Sequence, residues 1–144
     1  MKRLEPTLQR LEPIGYALLR IITGFLFFFH GAQKVFGWVS AKAPPEVMSQ
    51  AWIGGVLELV GGVFIAFGLF TRVTAFICSG MMAVAYFQFH WKFNVEDFQW
   101  LPIVNKGELA VLYCFVFLFM ALRGSGVWSL DGLLRRGYRT QDGT

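Results

Sequence analysis

The sequence predicts an all-α membrane protein: a polytopic four-helix bundle with both termini in the cytoplasm and a short interfacial helix ahead of the first span. Three observations lead there. Apolar residues make up 56% of the chain and charged residues 15%, whereas a soluble domain runs to about 45–50% apolar with about a quarter of its residues charged. Sixteen phenylalanines in 144 residues exceed what one small aqueous core can hide. Four apolar runs, at 16–36, 51–70, 74–91 and 105–122, approach the roughly 20 residues that a helix rising about 1.5 Å per residue needs to cross the hydrocarbon core. One bundle is all this length permits.

Along the chain, R-L-E-P occurs at residues 3–6 and again at 10–13. The seven-residue step puts Leu4, Leu8 and Leu11 on one helical face. Residues 1–15 therefore read as an amphipathic helix on the inner leaflet, a partner docking site being the alternative. Pro13 suits the first turn of the first span. That span is too long for a cleaved signal, and no A-x-A site follows it. The loop 38–50 carries Pro44 and Pro45 and should be irregular, while the aromatic loop 89–106 reads as a cap over the bundle mouth. The bundle ends near residue 134, and 135–144 (RRGYRTQDGT) reads as a frayed polar tail.

Orientation follows from the basic residues. With four spans, one side holds Lys2, Arg3, Arg10, Arg20, Arg72, Arg123, Arg135, Arg136 and Arg139, and the other only Lys34, Lys42, Lys92 and Lys106. The excess assigns both termini to the cytoplasm of a bacterial-type inner membrane. Trp38, Trp52, Trp91 and Trp100 then fall at the outer interface, with Trp128 inside. The net charge of +4 flanks apolar runs and forms no patch, so it serves orientation and not nucleic acid.

Glu58 lies inside the second apolar run, where a carboxylate costs at least about 2.5 kcal/mol and so needs a partner. In the first span Arg20, Thr23, Gly24, Phe27, His30, Gly31 and Lys34 follow one another at steps of three or four, forming one small, polar face. In the second span Gly54, Glu58, Gly61, Gly62, Ile65 and Gly68 form a comparable stripe, which admits a neighbouring backbone closely. That stripe serves a homo-oligomer interface as easily as a helix of the same bundle. His30 and Glu58 both lie about 10 Å below the outer boundary at about 1.5 Å per residue. Lys34, one turn above His30, is the expected counter-charge of Glu58. With Asn105 and Glu108 at the start of the fourth span, these residues define a candidate outer-leaflet pocket. It reads as polar glue for the bundle, as a proton relay, or as a headgroup site for a quinone-like ligand.

A second polar group is expected at the inner end, where Asp131 should pair with Arg20 or Arg72 as a structural clamp. Cys78 and Cys114 have no C-x-x-C or zinc spacing. Their unequal depths argue against a disulfide, and no metal site is expected.

Taken together these elements resemble the DoxX family of small four-helix membrane proteins. The resemblance rests on H-G-x-x-K at 30–34, G-x-x-x-E-x-x-G-G at 54–62, G-L-x-T-R at 68–72, N-x-G-E-x-A-x-x-Y at 105–113 and G-x-G-x-x-S-x-D at 124–131. It spans residues 16–131 and adds Tyr113 to the candidate pocket. Where relatives often read N-G-G-E, this chain has Asn105-Lys106-Gly107-Glu108. The resemblance implies an accessory subunit of a quinone-linked redox system, of the sulfur/thiosulfate or thiol/quinone stress kind. The chain shows no haem-ligand pair at matching depth, no C-x-x-C and no nucleotide loop. No intrinsic cofactor is therefore expected, and the electron carrier would be a quinone or belong to a partner redox subunit. A small transporter, a protein that binds membrane lipid, and a purely structural subunit are the other readings. The catalytic residues, if any, are not identified by the sequence.

Overall fold

A computed structural model describes residues 5–41 and 43–141. Lys2, Arg3, Leu4, Lys42 and the last three residues lie outside the described residues, so the first R-L-E-P copy is described only in part. Every regular element within them is helical: α1 (Glu5–Phe36), α2 (Gln50–Phe67), α3 (Thr71–Ala85), α4 (Pro102–Asn105), α5 (Glu108–Arg123) and α6 (Leu130–Gln141). A π-helical turn, Tyr86–Trp91, prolongs α3, and a single 3-10 turn covers Glu96–Phe98.

Where the sequence suggested an interfacial helix followed by a separate span, α1 runs on through Pro13. The carbonyl that Pro13 leaves without a donor is that of Gln9, on an exposed turn where another donor can reach it. α2 begins at Ser49, whose Oγ accepts from the Trp52 N–H at 3.2 Å. It ends at Gly68, in the left-handed region with φ 67°. The segment expected to fray after Leu134 instead continues as α6 to Gln141. Ser129 starts it by accepting from the Gly132 N–H at 3.2 Å.

Leu8–Phe36, Gln50–Phe67 and Thr71–Trp91 are long and apolar enough to cross a membrane. α5, with 16 residues, is shorter. Its predecessor turn at Lys106 and Gly107 detaches residues 102–105 as α4, where the sequence suggested one span over 105–122.

Contacts fix an up-down-up-down order. Gly24 meets Ala66, Gly31 meets Leu59 and Gly55 meets Lys34, so α2 is antiparallel to α1. Ser79 donates to the Cys114 carbonyl at 2.8 Å and Arg72 to that of Ala121 at 2.9 Å, so α5 is antiparallel to α3. Phe27 closes the ring against Tyr113 and Phe117 at 5.1 and 4.7 Å between centroids. Glu12 pairs with Arg123, whose guanidinium lies 4.4 Å over the Tyr16 ring.

Polarity is inverted relative to a water-soluble domain. Arg20, Thr23, Glu58, Thr71 and Ser79 are buried, while Leu18, Ile22, Phe25, Phe76, Ile77, Leu112 and Phe115 are exposed. A lipid solvent requires this arrangement, because buried polar groups find partners only inside the protein. Cys78 and Cys114 are free thiols. Cys78 Sγ occupies the space that a side chain at Gly61 would need, 2.7 Å from its Cβ position.

Candidate functional site

The site is assembled by a glycine seam. A Cβ built on Gly31 would stand 2.3 Å from the Leu59 backbone nitrogen, and one on Gly24 2.4 Å from that of Ala66. On the facing helix, a Cβ built on Gly62 would stand 2.4 Å from the Phe28 backbone nitrogen. No real side chain fits at such distances, so α1 and α2 touch backbone to backbone. The sequence reading put Gly54 in this seam, and that is corrected: a Cβ on Gly54 meets nothing, whereas one on Gly55 meets Lys34 Cβ at 2.6 Å. The inward face of α2 is therefore set one residue on at its first turn, and α1 crosses Gly55.

This crossing explains the ion pair. The Lys34 stem lies across Gly55, and its Nζ reaches Glu58 Oε1 at 2.6 Å one turn further along α2. The Glu58 side chain is 5% exposed and that of Lys34 39%. Glu58 Oε2, by contrast, is buried and has no hydrogen-bond partner.

Glu58 lines a cavity of about 240 Å3 at the centre of the four long helices. Phe27 and His30 come from α1, Met82 and Ala85 from α3, and Leu109, Ala110 and Tyr113 from α5. The His30 ring stands edge-on to Tyr113, 6.0 Å between centroids at 88°. His90 and Lys106 complete the lining. Neither was singled out by the sequence as a site residue, although Lys106 marked the departure from N-G-G-E.

His90 Nδ1 lies 3.2 Å from the Asn105 carbonyl. A carbonyl only accepts, so Nδ1 carries the proton in this contact. His90 and Lys106 also line a second, outer chamber of about 320 Å3 with Lys92, Asn94, Gln99 and Asn105. The two chambers thus share a wall made of one imidazole and one ammonium.

Three candidate pocket residues lie outside the inner cavity's lining: Lys34, which reaches Glu58 from beside it, Asn105 and Glu108. Asn105 does not line the inner cavity. Its amide donates to the Gln99 carbonyl at 2.8 Å and the Tyr86 hydroxyl at 3.3 Å, and its oxygen accepts from the Gly107 N–H at 2.8 Å. With Tyr86 donating to the Trp100 carbonyl at 2.5 Å, these bonds fasten the aromatic loop as a cap. Glu108 is exposed, outside the cavity. The tight turn at Gly107 sets where α5 starts, and the phase of that start sends Ala110 and Tyr113 inward in its place.

At the opposite end the expected arginine–aspartate pairing gives way to backbone capping. Fully buried Arg20 donates to the carbonyls of Ile65, Ala66 and Trp128 at 2.7, 2.6 and 2.7 Å. Arg72 donates to those of Ala121 and Leu122 at 2.9 and 2.6 Å. Both cations thus sit at helix C-termini, which carry orphan carbonyls and the negative end of the dipole. Asp131 sits at the opposite pole of that logic. Phe70, the N-cap of α3, supplies no side-chain cap. Asp131 accepts instead from the N–H of Phe70 and Thr71 at 2.8 and 2.9 Å and from the Thr71 hydroxyl at 2.9 Å. Partial burial of Asp131 opposes its ionisation, but these bonds and the charge of Arg135 outweigh it and hold the carboxyl below the usual aspartate range.

The DoxX family model matches residues 15–91. An uncharacterised protein of Haemophilus influenzae is 38% identical over 131 residues, 86% of this chain and 93% of that one. CatD of Bacillus subtilis, provisionally named an oxidoreductase, is 30% identical over 86% of this chain and 90% of its own. YqjF of Escherichia coli K12, named an inner membrane protein, is 30% identical over 90% and 98%. No solved structure matches the chain.

Proposed function

The chain belongs to the DoxX family of membrane proteins, and from that premise we propose that it is an inner-membrane accessory subunit of a quinone-linked redox system, binding a quinone headgroup in the Glu58 cavity. In this reading α5 joins the three longer helices as a fourth span, and both termini face the cytoplasm. The arginines at one end of the bundle and the lysines at the other support that orientation. The provisional naming of CatD as an oxidoreductase and of YqjF as an inner membrane protein supports the compartment and the class of chemistry.

The observation that carries the reading is the unpartnered Glu58 Oε2. A buried carboxylate oxygen without a donor is costly, and Glu58 lines a cavity whose other walls are largely aromatic and aliphatic, with His90 and Lys106 toward its outer side. A ring bearing a hydroxyl, as the quinol form does, fits both requirements: apolar faces against Phe27, Met82 and Leu109, and an O–H that donates to Glu58 near His30 and Tyr113.

Binding of a short-chain quinone and quinol to the purified protein, with wild type and Glu58→Gln side by side, tests this. The substitution should weaken binding of at least one of the two forms about ten-fold, as loss of a hydrogen bond to a charged group implies. Equal binding by both proteins, with equal membrane-linked activity, refutes the proposal and leaves the ion pair as polar glue.

A further inference from the structure

A second and larger crevice, of about 820 Å3, opens at the opposite end of the bundle from the Glu58 cavity. Ile21 of α1, Ala66 and Phe67 at the end of α2, Trp128 of the connecting loop and Leu133 of α6 form its walls. Arg136, itself exposed, is the charged side chain among the described lining residues.

These walls are tied together. Arg20 bonds the Ala66 and Trp128 carbonyls at once, joining α2 to the loop. The Asp131 N–H donates to the Gly68 carbonyl at 3.0 Å while its carboxylate caps α3, pinning the start of α6 to the same turn. The crevice is therefore part of the fold.

Its surface is nonetheless wrong for water. Phe67, Trp128 and Leu133 are 62%, 62% and 64% exposed, where the apolar belt of the bundle gives way to its arginine-rich end. α6 presents Leu130, Leu133 and Leu134 on one side and Arg135 and Arg136 on the other. A helix with that division lies in a membrane interface. Arg135 and Arg136 of α6, with Arg72 and Arg123 at the same end, place four guanidinium groups against the carboxylates of Asp131 and Glu12, a net positive charge beside the crevice.

We propose that this crevice seats an acyl chain of an anionic phospholipid from the adjoining leaflet, with the headgroup phosphate against Arg136 and Arg135. Apolar walls select a chain, and the two guanidinium groups select a negative headgroup. The site is independent of the quinone reading and stands if that reading fails.

Native mass spectrometry of the full chain, released from bilayers holding equal phosphatidylglycerol and phosphatidylcholine, tests it. Retained lipid should be enriched in phosphatidylglycerol. Arg136→Gln should cut that enrichment roughly five-fold, the amount one arginine contributes near an anionic surface. Ile21→Trp, which fills the crevice, should lower retention of both lipids, and Leu133→Asn, on its exposed side, should do the same with less risk to folding. An unchanged phosphatidylglycerol excess in Arg136→Gln, or unchanged lipid number in Leu133→Asn, overturns the proposal. Displacement of the lipid by inorganic phosphate also overturns it, because the site would then serve a soluble anion.

Discussion

Lys34 and Glu58 form an asymmetric ion pair: Nζ reaches Oε1 at 2.6 Å, while Oε2 is buried without a partner. The asymmetry divides two tasks between two oxygens. One holds a counter-charge that makes ionisation tolerable inside the bundle. Under the quinol proposal the other is the oxygen that a headgroup hydroxyl would meet. A purely structural pair would have reason to use both oxygens, as a carboxylate accepts several bonds.

Removing either partner should have unequal effects. Lys34→Met strands a carboxylate that is only 5% exposed, and should destabilise the protein by about 3 kcal/mol or more. Glu58→Gln leaves an ammonium whose side chain is already 39% exposed and which can extend toward the headgroups. That variant should cost less than half as much. Unfolding of both variants in the same detergent gives the order, and a Glu58→Gln variant less stable than Lys34→Met contradicts it.

The glycine seam yields a contrast between neighbouring residues. Gly55→Ala places a methyl 2.6 Å from Lys34 Cβ and Gly31→Ala one 2.3 Å from the Leu59 backbone. Helices held that closely must separate, and each variant should lose about 2 kcal/mol. Gly54→Ala meets nothing within 4 Å and should gain up to about 1 kcal/mol from helix propensity. Thermal unfolding of the three variants is the measurement. A Gly54→Ala penalty as large as that of Gly55→Ala would show the helices in a different register.

These cases also mark what the sequence could reveal. Helical rise is fixed, so equal depth for His30 and Glu58, and a reachable Lys34, could be read from spacing alone. Faces near a helix start could not, because the phase depends on where the helix begins. Gly107 turns the chain just before α5, and Glu108 consequently faces out while Tyr113 faces in. The partners of Arg20 and Arg72 were invisible for another reason: backbone carbonyls carry no residue identity, so a search for acids near the inner boundary in the C-terminal half finds only Asp131. His90 reaches the cavity because α3 continues as a π-helical turn and the cap folds back onto it. The aromatic composition of loop 89–106 suggested such a cap, but not which side chain it would turn inward.

Asp131 makes stability depend on pH in a definite direction. Its carboxyl titrates below the usual aspartate range in the folded protein, so ionisation favours folding. That contribution is fully present above the unfolded value of about 3.9 and is lost as pH falls through the lower folded value. Asp131→Asn weakens the cap on α3 and should cost about 1 kcal/mol near neutral pH. The gap between wild type and variant should stay constant down to about pH 5 and narrow below it. Unfolding midpoints across that range measure the gap. A gap that widens toward acid would mean the carboxyl is held protonated in the fold.

The two capping arginines should differ sharply in their tolerance of lysine. Each directs a planar fork at several carbonyls, a geometry that an ammonium cannot reproduce. Arg72 is exposed, so carbonyls released in Arg72→Lys can be rehydrated, and the loss should be about 1 kcal/mol. Arg20 is fully buried and bonds Ile65, Ala66 and Trp128 together. In Arg20→Lys at least one of these carbonyls is left dry and the loop carrying Trp128 is released from α2, so the loss should exceed 2 kcal/mol. The same variant should also loosen the 820 Å3 crevice, whose walls Arg20 joins. Limited proteolysis between residues 124 and 130 reports that loosening, and unfolding midpoints report the stabilities. Equal losses for the two lysine variants would show that Arg20 reaches water and is not the internal tie that its burial implies.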